Sequence, residues 1–227
     1  YEIGSGLVGS EMCIRDSSPV LLQEPDYSVA GTIDNTEYDK THADRFTVDG
    51  KSITMEEDVQ FAHYDPNVAS LMQLGKWFDY MRENGVYDNT RIILVADHGR
   101  GLYLNWDRVI DNGPDTDFFF PLLMVKDFNA KGFSFSDTFM TTADVPTLAT
   151  SGLIDNPTNP FTGNAINANA KYDRPFYAFM SYDWDTSKNN GNQFFPGTWY
   201  RVDNQNARDK RNWVMVGENT VLPDALR

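Results

Sequence analysis

The apolar positions of this chain change their period along its length. Over residues 66–84 they recur at helical spacing: Val68, Leu71, Met72, Gly75 and Phe78 fall on one face, and Leu74, Trp77 and Met81 widen it. Asp65 is suited to cap that helix, Pro66 to open it and Gly85 to end it. After the turn Tyr87-Asp88-Asn89-Thr90 the pattern becomes an unbroken run, Ile92-Ile93-Leu94-Val95-Ala96. Such a run predicts a strand buried on both faces, as in a parallel sheet. Residues 118–125 predict a second buried strand, with Pro121 marking an edge or a bulge. Residues 142–148 predict a helix start, capped by Thr142 or Asp144, with Pro146 in the first turn. Asn156-Pro157-Thr158-Asn159-Pro160 breaks that helix. Alternation at 198–202 and 213–216 predicts a terminal hairpin. Residues 18–58 predict loops with short strands at 18–23 and 45–48, punctuated by Pro19, Pro25, Gly31, Asn35 and Gly50.

A helix feeding an apolar strand is half of an α/β repeat, which sets the expected class as α/β. A chain of 227 residues suffices for one sizeable core, and 41% hydrophobic with 23% charged residues is ordinary globular composition. The net charge of −14 argues against nucleic acid and against an anionic membrane surface as partners. No run approaches the roughly 18 apolar residues of a membrane span. An aromatic content of 14%, with many Asn, Asp, Gly and Tyr, suits a secreted or surface enzyme.

The first 17 residues stand apart. Leu7-Val8-Gly9-Ser10-Glu11-Met12-Cys13-Ile14-Arg15-Asp16-Ser17 resembles a translated sequencing adapter. The adapter codons GAG-ATG-TGT-ATA-AGA-GAC spell Glu11 to Asp16, CTC-GTG-GGC-TCG spells Leu7 to Ser10, and Tyr1-Glu2-Ile3 fits the same frame. Residues 1–17 are therefore read as an artefact and set aside. Cys13 is the only cysteine, so the native part carries no disulfide framework. The native chain is expected to start near Ser18 and to be the carboxyl-terminal part of a longer protein, with any leader or anchor upstream.

The candidate chemistry lies at the carboxyl end of the apolar run. Asp97, His98 and Gly99 follow Ala96 directly, and open α/β sheets bind ligands beyond the carboxyl ends of their strands. An adjacent carboxylate and imidazole form a metal-ligand pair, and glycine lets the backbone turn beside the ion. The segment from Tyr87 to Gly99 resembles the "YDNT–strand–(S/A)DHG" segment of the sulfatase-like branch of the alkaline phosphatase superfamily. Thr142-Ala143-Asp144-Val145-Pro146-Thr147-Leu148 is similar to that branch's "vDlxPTL" helix start, and Ala62-His63-Tyr64 fits its lipoteichoic-acid-synthase-like, phosphoglycerol transferase-type members. The resemblance covers residues 18–165, part of a catalytic domain, and leaves 166–227 as a carboxyl-terminal β extension.

The resemblance implies a mixed, mainly parallel sheet sandwiched by helices, with a divalent cation at the strand ends. Asp97 and His98 match the late metal-ligand pair. The early acidic ligand and the nucleophile (Thr, Ser or a formylglycine-forming Cys) would lie upstream, as would the membrane anchor of an extracytoplasmic, monomeric enzyme. The Ser17-Ser18-Pro19 stretch falls where many transferase-type members carry a substrate-contacting histidine, and it holds none. A carboxylate and an imidazole favour Mn²⁺, ahead of Zn²⁺, Mg²⁺ or Ca²⁺. The implied activity is transfer or hydrolysis of phosphodiester groups, phosphoglycerol or phosphoethanolamine, on an envelope lipid or glycan. The alternatives are a true sulfatase acting on sulfate esters and a non-catalytic surface domain. With half a metal site, the chain itself is expected to be inactive.

Other residues divide between site and scaffold. Arg100 either pairs with an anionic substrate group or makes a surface ion pair. His63 reads as a packing histidine, His42 as a solvated loop residue, Trp77 and Phe78 as core, and Asp144 as a cap. Tyr103, Asn105 and Trp106 line a pocket or simply pack. Tyr182-Asp183-Trp184-Asp185 reads as structural ahead of a headgroup-facing loop.

Overall fold

The described residues form one long helix, short helices and short antiparallel strand pairs. The computed structural model describes residues 20–48, 50–52, 54–55, 58–102, 108–111, 113–181 and 195–226. The adapter-like residues, Tyr103 to Trp106 and Tyr182 to Asp185 lie outside these. The described residues form a mixed α/β structure in two compact units. One runs to Arg91 and includes Asp127–Ala130; the other holds Ile92–Lys126 and the chain from Lys131 onward.

In the first unit, strand β1 (Leu21–Gln23) pairs antiparallel with β2 (Ser28–Ala30). Asp26 Oδ1 accepts from the backbone N–H and the hydroxyl of Ser28, which closes the connection. A helix, α1 (Thr36–His42), occupies part of the expected loop region, and β3 (Thr47–Val48) pairs with β4 (Lys51–Ser52). His42 is exposed at the end of α1, stacked on Tyr38 at 4.0 Å, and is thus helical where a loop was expected.

The long helix α2 (Asp58–Glu83) packs against β1. Its start differs from expectation. Pro66 reads as a first-turn residue, but the helix begins earlier and carries Pro66 inside it. Proline has no N–H to donate in the ladder. One turn away, the side-chain amide of Asn67 donates to the His63 carbonyl. The apolar face is also less buried than its spacing predicts. Met81 and Ala62 are buried, whereas Leu71, Met72 and Trp77 are exposed, so Trp77 is not core. Phe78 packs between Trp77 and Tyr87, at 5.6 and 5.7 Å. Gly85 ends the helix in a left-handed conformation (φ 68°): its N–H donates to Arg82 O and that of Val86 to Met81 O.

In the second unit, β5 (Ile92–Val95) pairs with β6 (Leu123–Lys126), from Ile92 opposite Lys126 to Val95 opposite Leu123. The pairing is antiparallel, as is every strand pairing among the described residues, so a mainly parallel sheet is not seen there. With two strands only, the apolar run is not enclosed: Ile92 is buried but Val95 and Val125 are about half exposed. Phe118 to Phe120 do not extend β6. Thr116–Phe119 is a 3-10 turn, and the strand starts only after Pro121. Helix α3 (Val145–Thr150) follows a 3-10 turn, Thr142–Asp144.

The core of this unit lies under a three-stranded antiparallel sheet in which β8 (Gly197–Val202) sits between β7 (Phe176–Met180) and β9 (Trp213–Thr220). Tyr200 and Val202, two apart on β8, point with Ala178 and Trp213 into one cluster. The Trp213 indole N–H donates to Ala207 O at 2.7 Å, and its ring lies 5.1 Å from Phe119. Trp213→Ala is expected to cost about 3–5 kcal/mol, through lost burial and the cavity left behind. A urea titration showing an unchanged midpoint would contradict this placement of the core.

Candidate functional site

Backbone hydrogen bonding carries the β5–β6 pair one step further, with Ala96 N–H donating to Leu122 O at 2.9 Å. Asp97 and His98 follow on the exposed side of that end, each side chain 48% accessible. Asp97 Oδ1 accepts from the His98 backbone N–H at 3.0 Å. His98 Nδ1 lies 2.7 Å from the Gly99 carbonyl. In the neutral ring Nδ1 is then the donor, which leaves Nε2 as the nitrogen without a proton. This is the usual arrangement of a metal-binding histidine, whose second nitrogen is held by an oxygen. Nε2 and Asp97 Oδ2 stand 3.9 Å apart. Two ligands each about 2.1 Å from one ion are roughly 3.0–3.4 Å apart, so a small side-chain rotation brings both onto a single cation.

The loop is held by its backbone. Gly99 N–H donates to Phe118 O at 2.9 Å. A Cβ on Gly99 would lie 1.9 Å from Asp117 O and 2.8 Å from Phe120 O, both backbone atoms with no room to yield. A Cβ on Gly101 would lie 2.6 Å from the Phe118 ring and 3.0 Å from Asp115 Cβ. Both glycines therefore serve close approach to the Thr116–Phe119 turn. That turn is itself fixed. Asp115 Oδ1 accepts from Asp117 N–H at 3.0 Å, Asp115 and Thr116 are fully buried, and Arg108 pairs with Asp117 at 2.5 Å while covering the Phe120 ring. The Thr116 hydroxyl is buried with no hydrogen-bond partner among the described residues. The sequence signal for this support was the turn composition Gly113-Pro114-Asp115, whose connection to the metal pair lies in the fold alone.

Arg100 is exposed and forms no ion pair among the described residues. Among the described residues no group of three or more His, Cys, Asp or Glu side chains is arranged to hold an ion. Asp97 and His98 fit a cation as two donors of the right chemistry, and a third donor is not among them.

Asp144 does more than the expected capping. It holds the N-cap position of α3, as expected, while Thr141 caps the preceding 3-10 turn, and Asp144 Oδ2 accepts from the Thr141 backbone N–H at 2.8 Å and from its hydroxyl at 3.2 Å. Asp144 Oδ1 also receives Lys171 Nζ at 2.9 Å. Burial alone would raise the Asp144 pKa. The Thr141 N–H and the Lys171 ammonium outweigh it and hold the carboxyl below its ordinary value.

Two buried carboxylates in the first unit have unequal surroundings. Glu24 is fully paired: Arg45 Nε and Nη2 reach its oxygens at 2.6–3.1 Å, and Asn35 Nδ2 donates at 2.8 Å. Asp65, expected to cap α2, instead lies within it, wholly buried, with neither oxygen hydrogen-bonded among the described residues. Burial and the nearby Glu24 carboxylate push Asp65 up to about 6, with Arg45 opposing in part.

No protein-family model, no curated protein and no solved structure matches this chain. No helix of the described residues is long and apolar enough to cross a membrane.

Proposed function

We propose that this chain is the carboxyl-terminal portion of a metal-dependent, sulfatase-like enzyme that transfers or hydrolyses phosphodiester groups of envelope lipids or glycans. The observation that supports the reading best is the Asp97–His98 pair, exposed at the end of β5 on a loop that Gly99 seats against backbone. In this reading upstream strands complete β5 and β6 into a mixed, mainly parallel sheet between helices. Upstream residues also supply the nucleophile, a third metal ligand and a membrane anchor on the extracytoplasmic side.

Asp97 and His98 would hold the cation, with Mn²⁺ preferred for a mixed oxygen and nitrogen donor set. When bound, the ion lowers the pKa of the attacking group and neutralises charge on the transferring one. Asp97 supplies negative charge, and His98 a nitrogen oriented by the Gly99 carbonyl. Arg100, two residues beyond His98 and exposed, supplies a cation for an anionic substrate.

The test uses the full-length gene product with bis(p-nitrophenyl) phosphate and p-nitrophenyl sulfate. Mn²⁺-dependent turnover of the phosphodiester is expected, as is loss of Mn²⁺ affinity by at least about tenfold in Asp97→Ala and in His98→Ala. Equilibrium dialysis reads the affinity. Unchanged affinity in Asp97→Ala would remove the ligand assignment, and preferential turnover of the sulfate ester would favour a sulfatase.

A further inference from the structure

The second unit contains a cavity of about 440 Å³, within the size range of small-molecule sites, whose lining includes Val95, two residues before Asp97. Its walls include the rings of Phe119, Phe120, Phe139 and Phe176. Three of these rings are braced by one another or by the core, and Arg108 covers the fourth, Phe120. Phe139 meets Phe176 edge to face at 5.6 Å, and Phe119 rests on Trp213. A floor held in this way is preformed, so a ligand does not bear the cost of ordering it.

The rim is different in kind. Thr138 and Asn206 are exposed there and offer a hydroxyl and an amide. The charged residues lining the cavity, Asp137 and Arg208, pair with each other at 2.9 Å. The mouth is therefore neutral overall. An anionic head would have to break that pair and then face Asp137. A free sugar would leave the phenyl floor without an apolar partner.

We propose that this cavity binds a neutral amphiphile, with its alkyl or acyl chain against the four phenyl rings and a hydroxylated head at the Thr138–Asn206 rim. Neither Asp97 nor His98 is among the residues that line the cavity, and the proposal does not depend on metal chemistry. One segment borders both: Phe118 O accepts the Gly99 N–H, and the next two residues line the cavity.

The experiment is calorimetric titration of the 227-residue chain with n-octyl β-D-glucoside below its micelle concentration, alongside glucose and sodium octyl sulfate. Saturable binding of the glucoside is expected, with no binding of glucose and weaker binding of the sulfate. Thr138→Trp fills the mouth from an exposed position and should weaken glucoside binding at least tenfold. Asn206→Trp, at a second exposed rim position, should do the same and serves if the first variant melts early. Val29→Trp, on an exposed strand of the first unit, should leave binding unchanged. Absence of saturable binding, or equal affinity in both rim variants, would overturn the site. Tighter binding of octyl sulfate would overturn the neutral head.

Discussion

Gly99→Ala is expected to destabilise the chain by about 3 kcal/mol and, on the proposed ligand assignment, to lower the Mn²⁺ affinity of the full-length protein. The added Cβ would sit 1.9 Å from Asp117 O, so either the Asp97–His98 loop lifts or the Thr116–Phe119 turn moves. Lifting the loop breaks the Gly99 N–H bond to Phe118 O, which fixes where the two ligand side chains start. The turn resists, because Asp115 is buried and caps it. Gly85→Ala is the contrasting substitution. Gly85 has a left-handed backbone but open space around its Cβ position, so alanine should cost only about 1 kcal/mol and leave metal affinity unchanged. Urea midpoints and equilibrium dialysis separate the two cases. A Gly99→Ala midpoint equal to that of the unaltered chain would show that the loop does not sit on the turn.

Asp65 yields the second large effect, through pH. Its folded carboxyl is pushed up to about 6, against an ordinary 3.8, by burial and by Glu24. The folded chain therefore holds this proton more tightly than the unfolded chain. The stability it contributes is present below about pH 4, is lost as pH rises to about 6, and stays lost above. Two pH units of displacement correspond to about 3 kcal/mol. Tyr27 and Tyr64, whose phenols burial raises further, remain neutral across that window, so Glu24 and Arg45 are the charges that matter. Asp65→Asn should remove this slope and leave the variant more stable than the unaltered chain by about 1–2 kcal/mol at pH 8. Asp144, whose folded pKa is lowered, acts in the opposite sense, adding stability that is lost as pH falls below the ordinary carboxylate range. Taking the variant against the unaltered chain at each pH cancels that contribution. Thermal melts from pH 4 to 8 that run parallel for the two would show Asp65 to be uncharged or solvated throughout.

Local signals carried the elements that rest on local physics. The alternation on β8 and β9 became paired strands because Tyr200, Val202 and Trp213 share one buried face. Gly85 was legible as a helix end because few other residues adopt its backbone conformation at low cost. The start of α2 was not. Pro66 carries a strong first-turn signal, and nothing local indicates that residues upstream continue the helix through it. The same signal marks Asp65 as the cap, whereas it lies wholly buried within the helix. The apolar run of β5 predicted its strand but not its partner: periodicity does not specify strand direction, and the antiparallel β6 comes from across a long connection. At the candidate site, Asp97 and His98 were legible as chemistry. Their support at Asp115, Thr116 and Gly101 was not, because it depends on contacts that close only in three dimensions.

The seat of the Asp97–His98 loop is made of main-chain atoms and of an absent Cβ, features that do not depend on which side chains stand at positions 97 and 98. Folding and ligand chemistry are thus separable in this part of the molecule. A substitution that alters the donor set, such as Asp97→Asn or His98→Asn, changes what the loop can hold while leaving intact the hydrogen bond that seats it. On the proposed ligand assignment, a change of metal preference would then leave the Gly99 seat of the loop in place.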